Sequence, residues 1–386
     1  MTSRAFARRV ASALLTMGLL AMATACETVP PAVDVGPFDA PFSSMVKAST
    51  PGWWRARGVD RIEVWVCHVP LDSTAAVYGG LQLRRVFTPQ ALASAVSPRV
   101  SAYFDAVSHG RYRPVFVAGG EWTMGRTDLP QACADHAIAA AATSTRAVLL
   151  VADAEHAGDQ AGGIGTAGVP CHGDGPCPVG ESRRWAYVGA ADFSPRWGTS
   201  PPVDLVEHEL GHTLGWVHSG TPPATNIAGD YDSALDVMSD SAAPRAVEPA
   251  RRDGPDTLAI DRVESGWLPT SAVVVADRAH GATAALSPST GASGLRLMVL
   301  PVDARSFLTI ELLSRSGFDG HLPADGVAVH LVRVSNGQLD HVAPMFSEPP
   351  YTALVQIGGS RHSQTWKLTV TAGWKVTAVP VGTTAA

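Results

Sequence analysis

The stretch HELGHTLGWVHSG, residues 208–220, carries three histidines, one glutamate and one glycine at fixed intervals. On an α-helix, side chains four residues apart lie one turn above each other, so His208 and His212 would present their imidazoles on one face. A different face carries apolar residues at the same spacing and is expected to be buried, namely Val206, Leu210 and Leu214. The pattern therefore predicts an amphipathic helix with paired imidazoles.

Two neutral imidazoles at this spacing can bind one metal ion. Gly215 can end the helix with a positive φ, so that the chain turns back and brings His218 to the same ion as a third ligand. Three protein ligands leave one zinc position open for water, which is typical of catalytic and not of structural sites. Zinc lowers the pKa of that water to about 7, and Glu209 is placed to accept its proton. We expect one catalytic Zn²⁺, with Glu209 as general base and three ligands, His208, His212 and His218.

The spacing His208-Glu209-x-x-His212-x-x-Gly215-x-x-His218 resembles the signature of the metzincin clan of zinc peptidases. That clan has a methionine turn beneath the metal, and DYDSALDVMSD, residues 230–240, supplies Met238. Further stretches resemble gametolysin-like and immune-inhibitor-A-like secreted peptidases: FDAVSHGRY (104–112), LAIDRVESGWL (258–268), LTIELLSRSGFDG (308–320) and GVAVHLVRV (326–334). The resemblance covers residues 60 to about 335 and implies peptide hydrolysis at a single zinc ion.

Two features depart from that clan. Some metzincins have a tyrosine ligand two residues after the Met-turn methionine, whereas this chain has Asp240 there. Tyr231 and Asp230 are near in sequence, but we expect them to be ordinary loop residues. In addition, about thirty residues between Cys26 and the first strand leave little room for an inhibitory prodomain.

Other polar residues give weaker signals. The acidic loop carries three carboxylates that could bind a calcium ion, namely Asp230, Asp232 and Asp236. A solvated loop without a metal ion is the simpler interpretation. His330 and His341 are expected to be surface or core residues without a catalytic role.

Residues 1–25 have the features of a secretory signal peptide, since three arginines precede the apolar run of residues 10–23. The sequence ATAC resembles the lipobox of bacterial lipoproteins, which predicts acylation of Cys26 and a membrane anchor. Ordinary cleavage near Ala25 is the alternative, and Arg8-Arg9 could belong to a twin-arginine signal. All three interpretations predict an exported protein, either held at the cell surface or secreted.

Four further cysteines favour two disulfides in an exported protein: Cys67, Cys133, Cys171 and Cys177. Cys171 and Cys177 bracket the turn-rich HGDGP, which could bring them within bonding range and would leave Cys67 with Cys133. Four cysteines nevertheless allow three pairings. A zinc site built from Cys171, His172 and Cys177 is the competing interpretation.

The chain is expected to have two folded domains. Residues 26–55 are rich in proline and predict a tether. Strands alternate with helices in residues 56–269, which predicts an α/β (α+β) metzincin-like catalytic domain with a mixed sheet and an active-site helix. In residues 270–386, short β-rich runs between turns predict an all-β, sandwich-like domain.

Cap signals locate three helices. Thr88 and Pro89 mark the start of one that should stop near His109-Gly110. Ser200 as cap and Pro201 in the first turn predict the start of the active-site helix. A further helix is expected over residues 255–267.

The formal net charge of −6 is dispersed, with no block of like charge. It gives no reason to expect nucleic acid as a partner. The sequence predicts an exported zinc-dependent endopeptidase that acts on protein or peptide substrates. The alternatives are a cell-surface binding or adhesion protein with a non-catalytic metal site, and a zinc hydrolase of a non-peptide bond.

Overall fold

The computed structural model describes residues 40–49, 56–74, 76–77, 81–155, 162–169, 177–221 and 231–381. The predicted signal peptide, Cys26, Cys171 and Asp230 lie outside the described residues, as does most of the predicted tether. The fold is mixed α/β, with mixed and antiparallel sheets and few helices.

A five-stranded sheet of β-branched and aromatic residues forms the first part of the fold. Its strands are β1 (Gly58–His68), β4 (Tyr112–Thr123), β5 (Thr145–Ala152), β6 (Gly163–Thr166) and β7 (Trp185–Val188), in the order β4-β1-β5-β7-β6. All pairs are parallel except β6 with β7, which is antiparallel. A small separate hairpin is formed by β2 (Ala76–Val77) and β3 (Leu81–Gln82).

Three helices connect these strands: α2 (Pro89–Val107), α3 (Pro130–Ala140) and α4 (Val179–Ser182). The Thr88 side chain accepts a hydrogen bond from the Ala91 amide (3.2 Å), and Pro89 opens α2. The predicted start of this helix is thus confirmed. Cys67 on β1 and Cys133 on α3 form a disulfide with a Cα–Cα distance of 6.2 Å.

Helix α5 (Asp204–Thr213) carries His208 and His212 and packs against β6 and β7. The prediction that it begins at Ser200 and Pro201 is wrong. Arg252 holds the segment that precedes α5 in a non-helical conformation. Val203 N–H donates to Arg252 O (2.8 Å), and Arg252 Nε donates to Ser200 O (2.9 Å). These bonds replace the first helical turn.

Two short helices follow, α6 (Ala243–Val247) and α7 (Ala259–Glu264). The prediction of a helix over residues 255–267 is wrong at both ends. Before α7 the backbone bonds to other segments, since Val237 N–H donates to Asp256 O (3.1 Å) and Asp256 N–H donates to Asp319 Oδ1 (3.1 Å). The amides needed for an earlier helical turn are therefore engaged elsewhere.

Residues 270–381, here called the C-terminal half, form two sheets. One has the order β13-β12-β11-β10-β8, from β8 (Val273–Val275), β10 (Leu297–Pro301), β11 (Ser306–Leu313), β12 (Gly326–Ser335) and β13 (Gln338–Pro344). The other has the order β14-β15-β16-β9, from β9 (Ala282–Ala285), β14 (Ser360–His362), β15 (Trp366–Thr371) and β16 (Lys375–Pro380). Side chains of both sheets share one apolar core, which includes Leu300, Ile310, Val329, Trp366 and Val376.

Helix α1 (Ala40–Ser49) lies within the segment expected to be a tether. It packs on α7 and on strands of the C-terminal half, with Phe42 and Met45 buried in their shared apolar core. The Phe42 and Phe307 rings meet edge to face at 5.5 Å. Part of the predicted tether is therefore folded onto the protein.

Every element described above lies in the unit Val35–Ala386. Among the described helices, none combines the length and the apolar character required to cross a bilayer.

Candidate metal centre

Three histidines meet beside helix α5. The potential ligand atoms of His208, His212 and His218 all lie within 4.8 Å of one another. Their ring centroids are 4.7 to 5.3 Å apart, and the Nε2 atoms of His212 and His218 are separated by 3.1 Å. Two nitrogens bound tetrahedrally at about 2.05 Å would be about 3.3 Å apart. The spacing of these nitrogens is close to that of two ligands of one zinc ion.

Backbone carbonyls orient two of the imidazoles. His208 Nδ1 donates to Val237 O (2.7 Å), and His212 Nδ1 donates to Trp216 O (2.8 Å). A proton fixed on Nδ1 leaves the Nε2 lone pair free to bind a metal. His208 Nε2 is buried and has no hydrogen-bond partner among the described residues. Because buried polar atoms are normally paired, this nitrogen fits a metal ligand.

Burial keeps all three imidazoles neutral, which is the form that binds metal. Desolvation, followed by the charges of His212 and His218, lowers the pKa of His208 well below its usual value. Desolvation, with a smaller effect of His218, lowers the pKa of His212 to about 4. For His218, desolvation and then His341 lower the pKa to about 4 as well. At neutral pH no proton competes with a cation for these nitrogens.

The end of α5 places the third histidine. Gly215 has a φ of 86°, which a residue with a side chain rarely adopts. The Trp216 amide donates to Gly211 O (3.2 Å), and Arg184 Nε donates to Thr213 O (2.8 Å). These bonds satisfy carbonyl groups in the last turn of α5. The chain turns there and continues to His218.

A turn around Met238 supports the histidines. Met238 is fully buried, and a Cβ on Gly211 would lie 2.5 Å from its sulfur, so the thioether lies directly against α5. Val237 O holds His208, and Met238 O accepts a hydrogen bond from the Ser219 amide (3.2 Å). One turn thus fixes the first ligand and the residue that follows the third.

Glu209 lies between α5 and strand β6. A Cβ on Gly163 would overlap the Glu209 carboxylate, and a Cβ on Gly165 would overlap the Glu209 carbonyl and lie 2.6 Å from His212 Cβ. Two glycines on one face of β6 therefore let the strand lie directly on the helix. Glu209 is 4% exposed, so its carboxylate is largely shielded from solvent.

Tyr231, expected to be an ordinary loop residue, lies against the histidines of the candidate metal centre. Its ring centroid is 4.9 Å from that of His218 and 5.8 Å from that of His208. The side chain is 41% exposed, so it borders the centre on the solvent side. Its position seven residues before Met238 carried no sequence signal, because loop geometry brings it to the histidines.

Other predicted site residues lie around the centre without joining the histidine group. Asp240, at the position of the clan's tyrosine ligand, accepts a hydrogen bond from the Ala242 amide (3.1 Å). Asp232 accepts one from the Thr221 amide (3.0 Å), and Asp236 accepts one from Ser219 Oγ (2.6 Å). Among the described residues, the three histidines are the group of potential ligands close enough to hold a metal ion. Calcium binding by this loop stays an alternative to the solvated loop that the sequence favours.

The remaining candidates either do not belong to the histidine group or fall outside the described residues. Cys177 is disulfide-bonded, whereas Cys171 and His172 lie outside the described residues. His330 is buried in β12, and desolvation lowers its pKa to about 4. His341 Nε2 donates to Gly220 O (3.1 Å), close to the centre.

Comparison with known proteins found no family model that matches the chain and no match among curated proteins.

Proposed function

We propose that this protein is an exported zinc-dependent endopeptidase of metzincin type. The observation that carries the proposal is the convergence of His208, His212 and His218, with the adjacent Glu209 carboxylate held against an edge strand. Three neutral imidazoles form the ligand set expected of a catalytic zinc site with one open position, and the carboxylate beside them serves as general base and not as a ligand. A purely structural site would need a fourth protein ligand and no such carboxylate.

A bound zinc ion would supply Lewis acidity, which polarises a peptide carbonyl and lowers the pKa of water to about 7. Glu209 takes the proton from the attacking water and delivers it to the leaving amine. Val237 O and Trp216 O keep His208 and His212 in the tautomer and orientation required of ligands.

Strand β6 offers a place for the substrate backbone. Among the described strands it pairs only with β7 and ends the sheet, and in this proposal an extended peptide pairs with its other edge. Addition of a strand at a sheet edge satisfies the backbone groups of a bound peptide. Because Gly163 lies on Glu209, a peptide on this edge passes beside the general base.

Two features support the rest of the proposal. The Cys67–Cys133 disulfide fits an oxidising compartment outside the cytoplasm, in agreement with the predicted signal peptide. The shared core of the two C-terminal sheets supports a sandwich-like arrangement of that half. Attachment to a membrane through Cys26 is part of the same proposal.

A protein-substrate assay with and without chelator tests this function. Purified protein should digest casein or gelatin, lose activity on chelation and regain it when zinc is restored. Metal binding without cleavage of any protein substrate would instead favour a binding protein or a hydrolase of another bond.

A further inference from the structure

The C-terminal half holds the chain that immediately follows the third histidine. His341 Nε2, on β13, donates to Gly220 O at 3.1 Å. Tyr351 OH shares a hydrogen bond with Thr221 Oγ1. Two side chains from beyond residue 340 therefore hold Gly220 and Thr221.

The same half holds the chain that leads into the Met238 turn. The Ala234 amide donates to Pro350 O (2.9 Å), and His321 Nε2 donates to Ala234 O (2.7 Å). The next residue, Leu235, is buried in an apolar cluster with residues of the C-terminal half, namely Leu313, Leu322, Ala328, Tyr351 and Leu354. We call His321, His341, Pro350 and Tyr351 the clamp residues.

The two held segments are also bonded to each other. The Thr221 amide donates to Asp232 Oδ1 (3.0 Å), and Ser219 Oγ donates to Asp236 Oδ2 (2.6 Å). Asp232 directly follows Tyr231, whose ring lies against His208 and His218. A continuous set of contacts thus leads from Tyr351, through Thr221 and Asp232, to the aromatic ring at the metal centre.

We propose that the clamp residues shape the substrate-binding wall beside the metal centre, and that through Tyr231 they favour peptides with an apolar or aromatic side chain next to the scissile bond. This inference rests on the proposed peptidase function. Tyr231 is 41% exposed and presents an aromatic ring beside two histidines, which suits contact with an apolar side chain. The clamp residues are positioning residues, because they act through the segments they hold.

Removal of one hydroxyl tests the clamp. Tyr351→Phe keeps the ring in its apolar cluster and deletes the group that bonds Thr221, and Thr221→Val deletes the same bond from the other side. Thr371→Val is the matched control, since it removes an exposed hydroxyl on β15 that donates to Lys375 O (3.2 Å). All three variants are made in the full chain.

The first readout is digestion of a peptide library. We expect the wild type and Thr371→Val to share a preference for an apolar or aromatic residue beside the cleaved bond. Tyr351→Phe and Thr221→Val should weaken that preference and lower kcat/KM for preferred peptides by roughly 10- to 100-fold, mainly through KM. The double variant should be no worse than either single variant. An unchanged preference in Tyr351→Phe would overturn the proposal.

The second readout does not depend on activity. Hydrogen exchange at the Ala234 amide, which donates to Pro350 O, should be faster in Tyr351→Phe than in the wild type and in Thr371→Val. Equal exchange rates would overturn the clamp even if the protein is a peptidase. A wild type that cleaves no peptide would overturn the proposed function, and with it the role of the clamp in selectivity, while the exchange rates would still decide whether the clamp exists.

Discussion

Two glycines on β6 have different consequences for the metal centre. A Cβ on Gly163 would meet the end of the Glu209 side chain, which can move away, whereas a Cβ on Gly165 would meet the Glu209 backbone, which cannot move without the helix. A methyl group added at Gly163 should therefore affect catalysis, whereas a methyl group added at Gly165 should affect stability.

Gly163→Ala is expected to impair cleavage while sparing the fold. The displaced Glu209 carboxylate should lower kcat roughly 100-fold, with metal content and the urea midpoint close to those of the wild type. Gly165→Ala should instead lower the free energy of unfolding by about 1–3 kcal/mol.

Gly180→Ala provides the control for both glycine variants, because a Cβ there meets nothing within 4 Å. It should match the wild type in cleavage rate, and its urea midpoint should be equal or slightly higher, because alanine is favoured over glycine within helix α4. Full activity of Gly163→Ala would show that β6 does not constrain Glu209.

The residues of the centre were predictable to different degrees. The pairing of His208 with His212 follows from helical periodicity, and the bend at Gly215 follows from the freedom of glycine at positive φ. Tyr231 could not be predicted, because its contacts depend on how the loop before Met238 folds. The closeness of Gly163 to Glu209 likewise depends on tertiary packing.

At the scale of elements, helix α7 depends on a carboxyl group from the C-terminal half. Both carboxyl oxygens of Glu311, on β11, accept from the Ala259 amide at the start of α7 (3.2 and 3.0 Å). Glu311 is fully buried, and desolvation raises its pKa from 4.5 to about 7, partly offset by Arg262. The folded protein therefore keeps a proton that the unfolded chain releases.

This proton makes stability depend on pH. Between pH 4.5 and about 7 the unfolded chain loses the proton of Glu311 and the folded protein retains it, so rising pH favours unfolding. Relative to Glu311→Gln, which keeps one acceptor oxygen, the wild type should lose roughly 3 kcal/mol of unfolding free energy across that range. Urea denaturation of both proteins at several pH values measures the difference, and parallel curves would contradict the prediction.

The Cys67–Cys133 disulfide joins β1 to α3 across 66 residues. A cross-link of that separation constrains the unfolded chain, and its loss is expected to cost about 4 kcal/mol. The double variant Cys67→Ala with Cys133→Ala should therefore have a lower urea midpoint than the wild type. A reductant should have a smaller effect on the variant than on the wild type.

The boundaries of elements were predictable where a local signal acts alone. Thr88 and Pro89 start α2 as expected, since the cap bond is made within the segment itself. The signal at Ser200 and Pro201 failed because Arg252 engages the Ser200 and Val203 backbones. Local propensity was overridden there by contacts with a segment about fifty residues away.

At the scale of the whole molecule, α1 joins a segment expected to be a tether to the folded protein. Phe42 packs on Phe307 and is 6% exposed. Phe42→Ala should lower the free energy of unfolding by about 3 kcal/mol. Ser44→Ala, at an exposed position of the same helix, should leave it unchanged. Equal stability of both variants would mean that α1 does not belong to the folded unit.

The alternating strands and helices and the later β-rich runs predicted a mixed fold with a β-rich C-terminal half. The contacts of that half with the metal centre were not predictable. Tyr351 and His341 reach Thr221 and Gly220 across more than a hundred residues, and no local pattern encodes such pairs.

In the proposed mechanism Glu209 is the residue that makes the three-histidine centre a catalyst. The direct measurement is the cleavage rate of Glu209→Ala on a protein substrate, together with its zinc content. We expect one bound zinc ion, as in the wild type, and a cleavage rate reduced by roughly a factor of 100 to 10,000, because the general base is lost while all three ligands remain. A zinc-loaded Glu209→Ala protein that cleaves at the wild-type rate would contradict the catalytic role of Glu209.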